Sequence, residues 1–281
     1  MNSPLEISLK KHLQSVAKER NLTPAVVWQN VVADRFLIRL CKSRYQENFI
    51  LKGGILLAKH LNIGRETKDL DFSVASLRND EKELFNVISE IVEIDVVDGF
   101  KFRNVKVDVL NHFHVNYPGA QVRVDVSFGR SQSSLFIDLG FGDHVSIKEQ
   151  NILLLANSTS SLFENEITVK CYPLEFVFAE KLETLIYRGV ENSRMKDYHD
   201  LFTMIKNDDG KEALDKKDAH HAIKTVFAHR NTPLQLPICF DTPSMAALQN
   251  SWQRYRMSTT SPAQLPEKVE DVVAAINAWI N

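Results

Sequence analysis

Between Phe100 and Leu139 apolar residues recur at every second position in three runs. Phe100 and Phe102, then Val105, Val107 and Val109, form the first; Val122, Val124, Val126 and Phe128 the second; Leu135, Ile137 and Leu139 the third. A period of two buries one face of a β-strand and leaves the other wet. Asp98-Gly99, Tyr117-Pro118-Gly119 and Gly129-Arg130-Ser131 separate the runs. The pattern predicts hairpin-connected strands in a mixed or antiparallel sheet.

On both sides the period is helical. Residues 5–19 read as one helix; Thr23-Pro24 then supplies an N-cap and a first-turn proline to a second, carrying Val26, Val27, Val31, Val32, Phe36, Leu37 and Leu40. That helix of about five turns is assigned to core packing. Leu84, Val87, Ile88, Ile91 and Val92 predict another over 80–94, and five more follow over 173–187, 195–206, 216–227, 243–255 and 266–280. The stretch 141–165, with Gly142, Ser158, Thr159 and Ser160, is the most loop-like and marks a boundary. The expected class is α/β (α+β): a core over 1–150 with N-terminal helices, and a mainly helical domain over 151–281.

A chain of 281 residues, 44% hydrophobic and 25% charged, can bury a sizeable core. Its formal charge of -2 is not that of a protein that coats nucleic acid, so a polyanion would have to be held on a local patch. Cys41, Cys171 and Cys239 are odd in number and far apart in sequence, which argues against a disulfide framework and a CxxC zinc site and fits a reducing cytoplasm. No apolar signal core opens the chain, and no run approaches the roughly 18 residues of a spanning helix.

Chemistry concentrates in two places. Lys52-Gly53-Gly54 directly precedes the short helical run Ile55 to Leu61. Free N–H groups and the dipole at a helix start favour anions, and glycines let a phosphate approach with no Cβ in the way. The chain returns as Asp69-Leu70-Asp71-Phe72-Ser73-Val74. In a strand both carboxylates share one face while Leu70, Phe72 and Val74 take the other. Two adjacent carboxylates repel and ask for a cation. Alone, each feature reads as a turn or a solvated acid pair; in this order they predict a site for a triphosphate and its magnesium. A third acid would come from a neighbouring strand. Asp138 and Asp125 both fall on the non-core phase, and Asp138 is preferred because Gly140 and Gly142 after it allow close approach.

The second concentration is Lys181 with Arg194, Lys196, Asp197 and Asp200. Leu174, Val177, Phe178 and Leu185 form a buried stripe, and Lys181 lies on or beside it, so it must reach an acid, Asp197 or Glu180, or a phosphate. The group at the next helix start reads equally as a solvated cap. Trp252 to Arg256 reads as a helix end with packed aromatics before it reads as an RNA clamp. His112, His114 and the pair His220-His221 lack zinc-ligand spacing.

These residues resemble a known family, the AbiEii-type nucleotidyltransferase toxins of abortive-infection and type IV toxin–antitoxin systems, related to the MenT toxins. The resemblance runs through Leu51 to Gly54 with Arg65 to Phe72, then Ile137 to Asp143, then Tyr172 to Glu175, Ala179 to Glu183 and Asn192 to Leu201. It implies a polymerase-β-like nucleotidyltransferase core with helical additions, metal at the Asp69 and Asp71 positions, and Thr67, Lys181 and Asp197 at the active site. The family commonly has Ser or Thr after the glycine pair; here Ile55 stands there, which removes a hydroxyl and keeps the backbone amides. The expected enzyme is a nucleotidyltransferase that moves an NMP from an NTP to a hydroxyl, at the 3′ end of tRNA, as a toxin with a cognate antitoxin. The expected catalytic set is Asp69, Asp71, Lys181 and Asp197. Lys52, Gly53, Gly54, Thr67 and Arg194 should surround the nucleotide, and Asp69, Asp71 and Asp138 should hold Mg²⁺ (or Mn²⁺). Two alternatives stay open: a protein hydroxyl as acceptor, and a non-catalytic nucleotide- or partner-binding protein of the same fold.

Overall fold

A computed structural model describes residues 4–20, 22–61, 67, 69–110, 119–142, 147–154, 163–189, 194–207, 213–259 and 264–281. His112, His114, Ser158 to Ser160, Asp143 and parts of the resembling blocks (Arg65, Glu66, Lys68, Asn192 and Ser193) lie outside the described residues. The chain forms two compact units, one made by residues 1–59 and 67–172 and the other chiefly by residues 173–281. Each is described by itself.

The first unit opens with α1 (Pro4–Arg20) and α2 (Pro24–Cys41), the latter capped by Thr23 as its sequence predicts. Then come β1 (Phe49–Lys52), α3 (Gly53–His60), β2 (Leu70–Val74), α4 (Glu81–Glu93), β3 (Lys101–Leu110), β4 (Gly119–Phe128), β5 (Ser131–Phe141), β6 (Lys148–Leu153) and β7 (Glu166–Cys171). The strands form one sheet in the order β3-β4-β5-β2-β1-β7-β6. The predicted hairpin strands are the antiparallel set β3-β4-β5, whereas β2 joins β5, and β1 joins β7, in parallel. The sheet is therefore mixed.

Core and register follow the period-two pattern. Val122, Val124, Val126, Leu135, Ile137 and Leu139 are buried, as are Leu70, Phe72 and Val74. In β3 the phase shifts between Arg103 and Lys106, where Asn104 takes a positive φ of 52°. This bulge lets Phe102 and Val107 both face the core. Two features differ from expectation. β6 falls inside the loop-like stretch 141–165, β7 follows it where helices are expected, and together they extend the first unit to Tyr172, past the expected boundary at 150. Ile167, Val169 and Cys171 alternate as a strand should, but the polar, Ser-rich segment before them hides the signal.

Inside this unit Asp98, ahead of β3, receives Arg35 Nε at 2.7 Å and Arg39 through Nη1 at 2.8 Å and Nη2 at 2.9 Å. All three side chains are buried. Burial would push the Asp98 carboxyl up, but the hydrogen bonds from Arg39 and Arg35 outweigh it and hold the group below its ordinary range. The knot fastens α2 to the entry of β3, a role that apolar periodicity in α2 does not reveal.

Among the described residues the second unit is helical: α5 (Leu174–Arg188), α6 (Met195–Lys206), α7 (Lys216–His229), α8 (Thr242–Ser258) and α9 (Val269–Ile280). Pro173 occupies the N-cap of α5, one place earlier than predicted. Trp252 is buried, donates from Nε1 to the Pro266 carbonyl at 2.9 Å and stacks on Tyr255, so the Trp252 to Arg256 stretch is packed helix. His220 bonds the carbonyls of Lys216 and Ile280, a structural use.

Candidate active site

One group of predicted residues gathers where β1 turns into α3. Gly53 has φ +71°, a conformation that L side chains rarely adopt, and a Cβ placed on it would lie 2.0 Å from Asp71 Oδ2. Only glycine fits. Gly54 N–H points at the same oxygen at 3.4 Å. The turn therefore presents its backbone to an acid on the adjacent strand, because β1 and β2 pair antiparallel with Lys52 opposite Asp71.

The row continues across the sheet. Asp71 pairs with Asp138, Asp138 with Gln121, and Gln121 with Asp108. Paired strands lie about 4.8 Å apart, so Asp71 and Asp138 are side by side on the face opposite Leu70 and Ile137. Gln121 Nε2 donates to Asp138 Oδ1 at 3.0 Å. Asp125 stands farther along β4 and is engaged elsewhere: Asn104, Ser134 and Arg123 bond it at 3.1, 3.1 and 3.3 Å. The Asn104 hydrogen bond is the largest influence holding its carboxyl below the ordinary range. Asp69 is exposed, immediately before β2, and Thr67 is half-buried two residues earlier. Lys52 Nζ lies 5.1 Å from the centre of the buried Tyr172 ring. Ile55 is 4% exposed, so its side chain serves the core of this unit.

The donor set fits a hard divalent cation, since Asp69, Asp71 and Asp138 offer only carboxylate oxygen. Among the described residues no three histidine, cysteine or carboxylate groups close into a ready-made cage. Mg²⁺ is commonly held by one or two carboxylates with substrate phosphates and water completing its octahedron, so an acid pair open to substrate suits it.

The second unit holds the other group of predicted residues. Lys181 Nζ, with its side chain 12% exposed, contacts Asp197 Oδ1 at 3.0 Å and Asp200 Oδ2 at 2.7 Å. Asp197 is one of the two acids, with Glu180, that the sequence offers as a partner. Asp200, fully buried, belongs to the same charge concentration that reads equally as a solvated cap, and its spacing of three from Asp197 on α6 is the signal that both acids share a helix face. Arg194, at the N-cap of α6, has Nε 3.5 Å from Asp197 Oδ2. That oxygen is buried with no hydrogen-bond partner among the described residues. Glu180, the other predicted partner, lies 3.4 Å from Arg230.

A mixed sheet that presents acids beside a glycine turn, with a helical unit after it, has the layout of a nucleotidyltransferase, and this chain is one. The family model described as "Nucleotidyl transferase AbiEii toxin, Type IV TA system" matches residues 35–275, and the chain belongs to that family. Membership implies an NTP substrate and an antitoxin partner. No curated protein matches the chain in sequence. Among solved structures it is similar to JHP933 from Helicobacter pylori, at 12% identity, TM-score 0.45, over 90% of each chain. It is also similar to an H. pylori protein described as a "putative nucleotidyltransferase", at 12% identity and TM-score 0.46, over 92% of this chain and 94% of that one. Among the described residues no helix is long and apolar enough to cross a membrane.

Proposed function

We propose that this nucleotidyltransferase is Mg²⁺-dependent and transfers an NMP from an NTP to the 3′ hydroxyl of a tRNA, acting as a toxin in the cytoplasm. The observation that supports the reading is the approach of the Gly53-Gly54 turn to Asp71, with the Gly54 N–H 3.4 Å from the carboxylate, so that a phosphate on the turn and a cation on the acid would be neighbours. The Gly54 bond to Asp71 is long, and a phosphate oxygen offers its N–H a better acceptor.

In this reading the acceptor oxygen attacks the α-phosphorus, the bond to the bridging oxygen breaks, and pyrophosphate leaves. The acceptor proton passes to a carboxylate or to water. Mg²⁺, when bound, neutralises charge at the α-phosphoryl group and lowers the acceptor hydroxyl's pKa. Asp69 and Asp71 hold it, with Asp138 as third acid. Gly53, Gly54, Lys52 and Thr67 seat the triphosphate; Lys181 and Arg194 neutralise it, and Asp197 orients Lys181 or the acceptor. Fixed geometry supplies much of the remaining rate.

The test is incubation with Mg²⁺, each α-labelled NTP and total tRNA. Label should enter RNA, and Asp71→Ala should lower it by about 100-fold or more. Wild type matching Asp71→Ala, with no label in RNA, overturns the reading; label in protein reassigns the acceptor to a protein hydroxyl.

A further inference from the structure

Beside the carboxylate row runs a second row of different chemistry, on the same outward face of the sheet. Lys106 pairs with Arg123, and Arg123 with Phe136. Lys106 and Arg123 are exposed, and Phe136 is 38% exposed although its strand neighbours Leu135 and Ile137 are fully buried. Like charges directly opposite each other destabilise a strand pair, and a lone aromatic on a wet face gains little from burial. Arg123 has structural contacts, to Ser134 at 3.2 Å and Asp125 at 3.3 Å, but these explain neither Lys106 opposite it nor the exposed Phe136.

Their location suggests a use. Phe136 lies two residues from Asp138, about 6.7 Å along the strand, and the Leu70–Ile137 pair places Asp69 next in line beside it. Arg123 and Lys106 extend the row outward by one strand each. An aromatic platform one step from the reacting centre, followed by two adjacent cations, matches a terminal base followed by backbone phosphates. Of the nearby acids, Asp125 takes one long contact from Arg123 at 3.3 Å and is also bonded by Asn104 and Ser134, while Asp108 lies opposite Gln121, so the Lys106 charge and the rest of the Arg123 guanidinium face outward. Arg103 and Lys101, both exposed, lie farther along β3 and continue the positive charge.

We infer that Phe136, Arg123 and Lys106 form the acceptor platform, binding the single-stranded 3′ end of a nucleic acid with its last base on Phe136 and its phosphates on the two cations. The inference rests on the reaction proposed above and adds the surface that holds the acceptor. No aromatic–cation row was legible in the sequence, because Lys106, Arg123 and Phe136 come from three strands and meet only through register.

The experiment measures binding of a fluorescein-labelled RNA with a single-stranded 3′ end, across a salt series, with Mg²⁺ and a non-hydrolysable NTP analogue present. Lys106→Gln with Arg123→Gln should weaken binding about tenfold or more and reduce the slope of log K against log salt by roughly 1.4. Phe136→Ala should weaken it about tenfold, and Phe136→Trp should restore it. All variants should keep the wild-type melting temperature and its rise with Mg²⁺ and the analogue. RNA affinity and salt slope unchanged in both Phe136→Ala and the double-glutamine variant overturn the platform, as does a wild type that binds no RNA and modifies a protein. If wild type binds RNA with these dependences and transfers nothing, the platform stands and the reaction reading fails.

Discussion

The two units each bury a charge cluster, and the clusters differ in how fully their acids are hydrogen-bonded. Around Asp98 two guanidiniums converge on one carboxylate, whose two oxygens accept well-formed bonds, while Arg35 also reaches Glu164 at 2.8 Å. Around Lys181 the ammonium meets two carboxylates, and Arg194 Nε stands 3.5 Å from Asp197 Oδ2, an oxygen with no hydrogen bond among the described residues. The first cluster satisfies its acid completely and ties α2 to the entry of β3. The second leaves a buried acceptor with only a long ion-pair contact, which costs stability unless another group bonds it. In the reading proposed above, a ligand group is what uses that acceptor.

The largest effect should come from removing the shared acid of the first cluster. Asp98→Asn takes the buried acid from Arg39 and leaves Arg35 with Glu164 alone, and neither guanidinium can shed its proton, so it should destabilise by about 3–5 kcal/mol, read as a lower melting temperature or urea midpoint. The loss should depend on pH with a definite sign. Because the folded-state pKa of Asp98 is depressed, its stabilisation is fully present above the unfolded value and lost as pH falls through the folded one. The gap between wild type and Asp98→Asn should therefore narrow below about pH 4. A constant gap down to acid unfolding would mean that the cluster acts through packing alone.

Lys181→Met should cost less, about 1–3 kcal/mol. It removes the Nζ contacts of Asp197 and Asp200 but leaves Arg194 Nε 3.5 Å from Asp197. A urea midpoint lowered as far as in Asp98→Asn would contradict this.

Which parts of these clusters the sequence disclosed depends on how far along the chain the partners lie. Elements with their own periodicity were legible: α2 from its apolar spacing and Thr23 cap, α4 from Leu84 to Val92, and β3 to β5 from strict alternation. Lys181 could be matched to Asp197 because a lysine on an apolar stripe needs a nearby acid. Gly53 and Asp71 were legible as a turn and an acid strand, though their contact depends on the antiparallel register of β1 and β2. What stayed hidden was set by pairing of remote segments: the parallel contacts of β2 with β5 and of β1 with β7, which place Asp138 beside Asp71 and carry the first unit to Tyr172. Asp98 looked like part of a turn, since nothing local in Val97-Asp98-Gly99 shows that Arg35 and Arg39 converge on it.

The smallest stability change should accompany the largest separation of stability from function. Asp197→Asn removes one of the two acids on Lys181 and leaves Asp200 at 2.7 Å to neutralise the ammonium. Arg194, 44% exposed, loses only a long contact at 3.5 Å, and the buried oxygen without a hydrogen bond no longer carries charge, so unfolding should shift by less than about 1 kcal/mol. If the surplus acceptor serves the substrate, the same change should still reduce nucleotidyl transfer by about 100-fold or more. Asp200→Asn makes the contrast: it removes the closer, fully buried partner and should cost more stability for a comparable loss of charge. Unfolding curves and transfer rates on the two variants decide the matter. If Asp197→Asn loses stability as Asp98→Asn does and retains transfer, the Lys181 cluster is a structural knot like the one around Asp98.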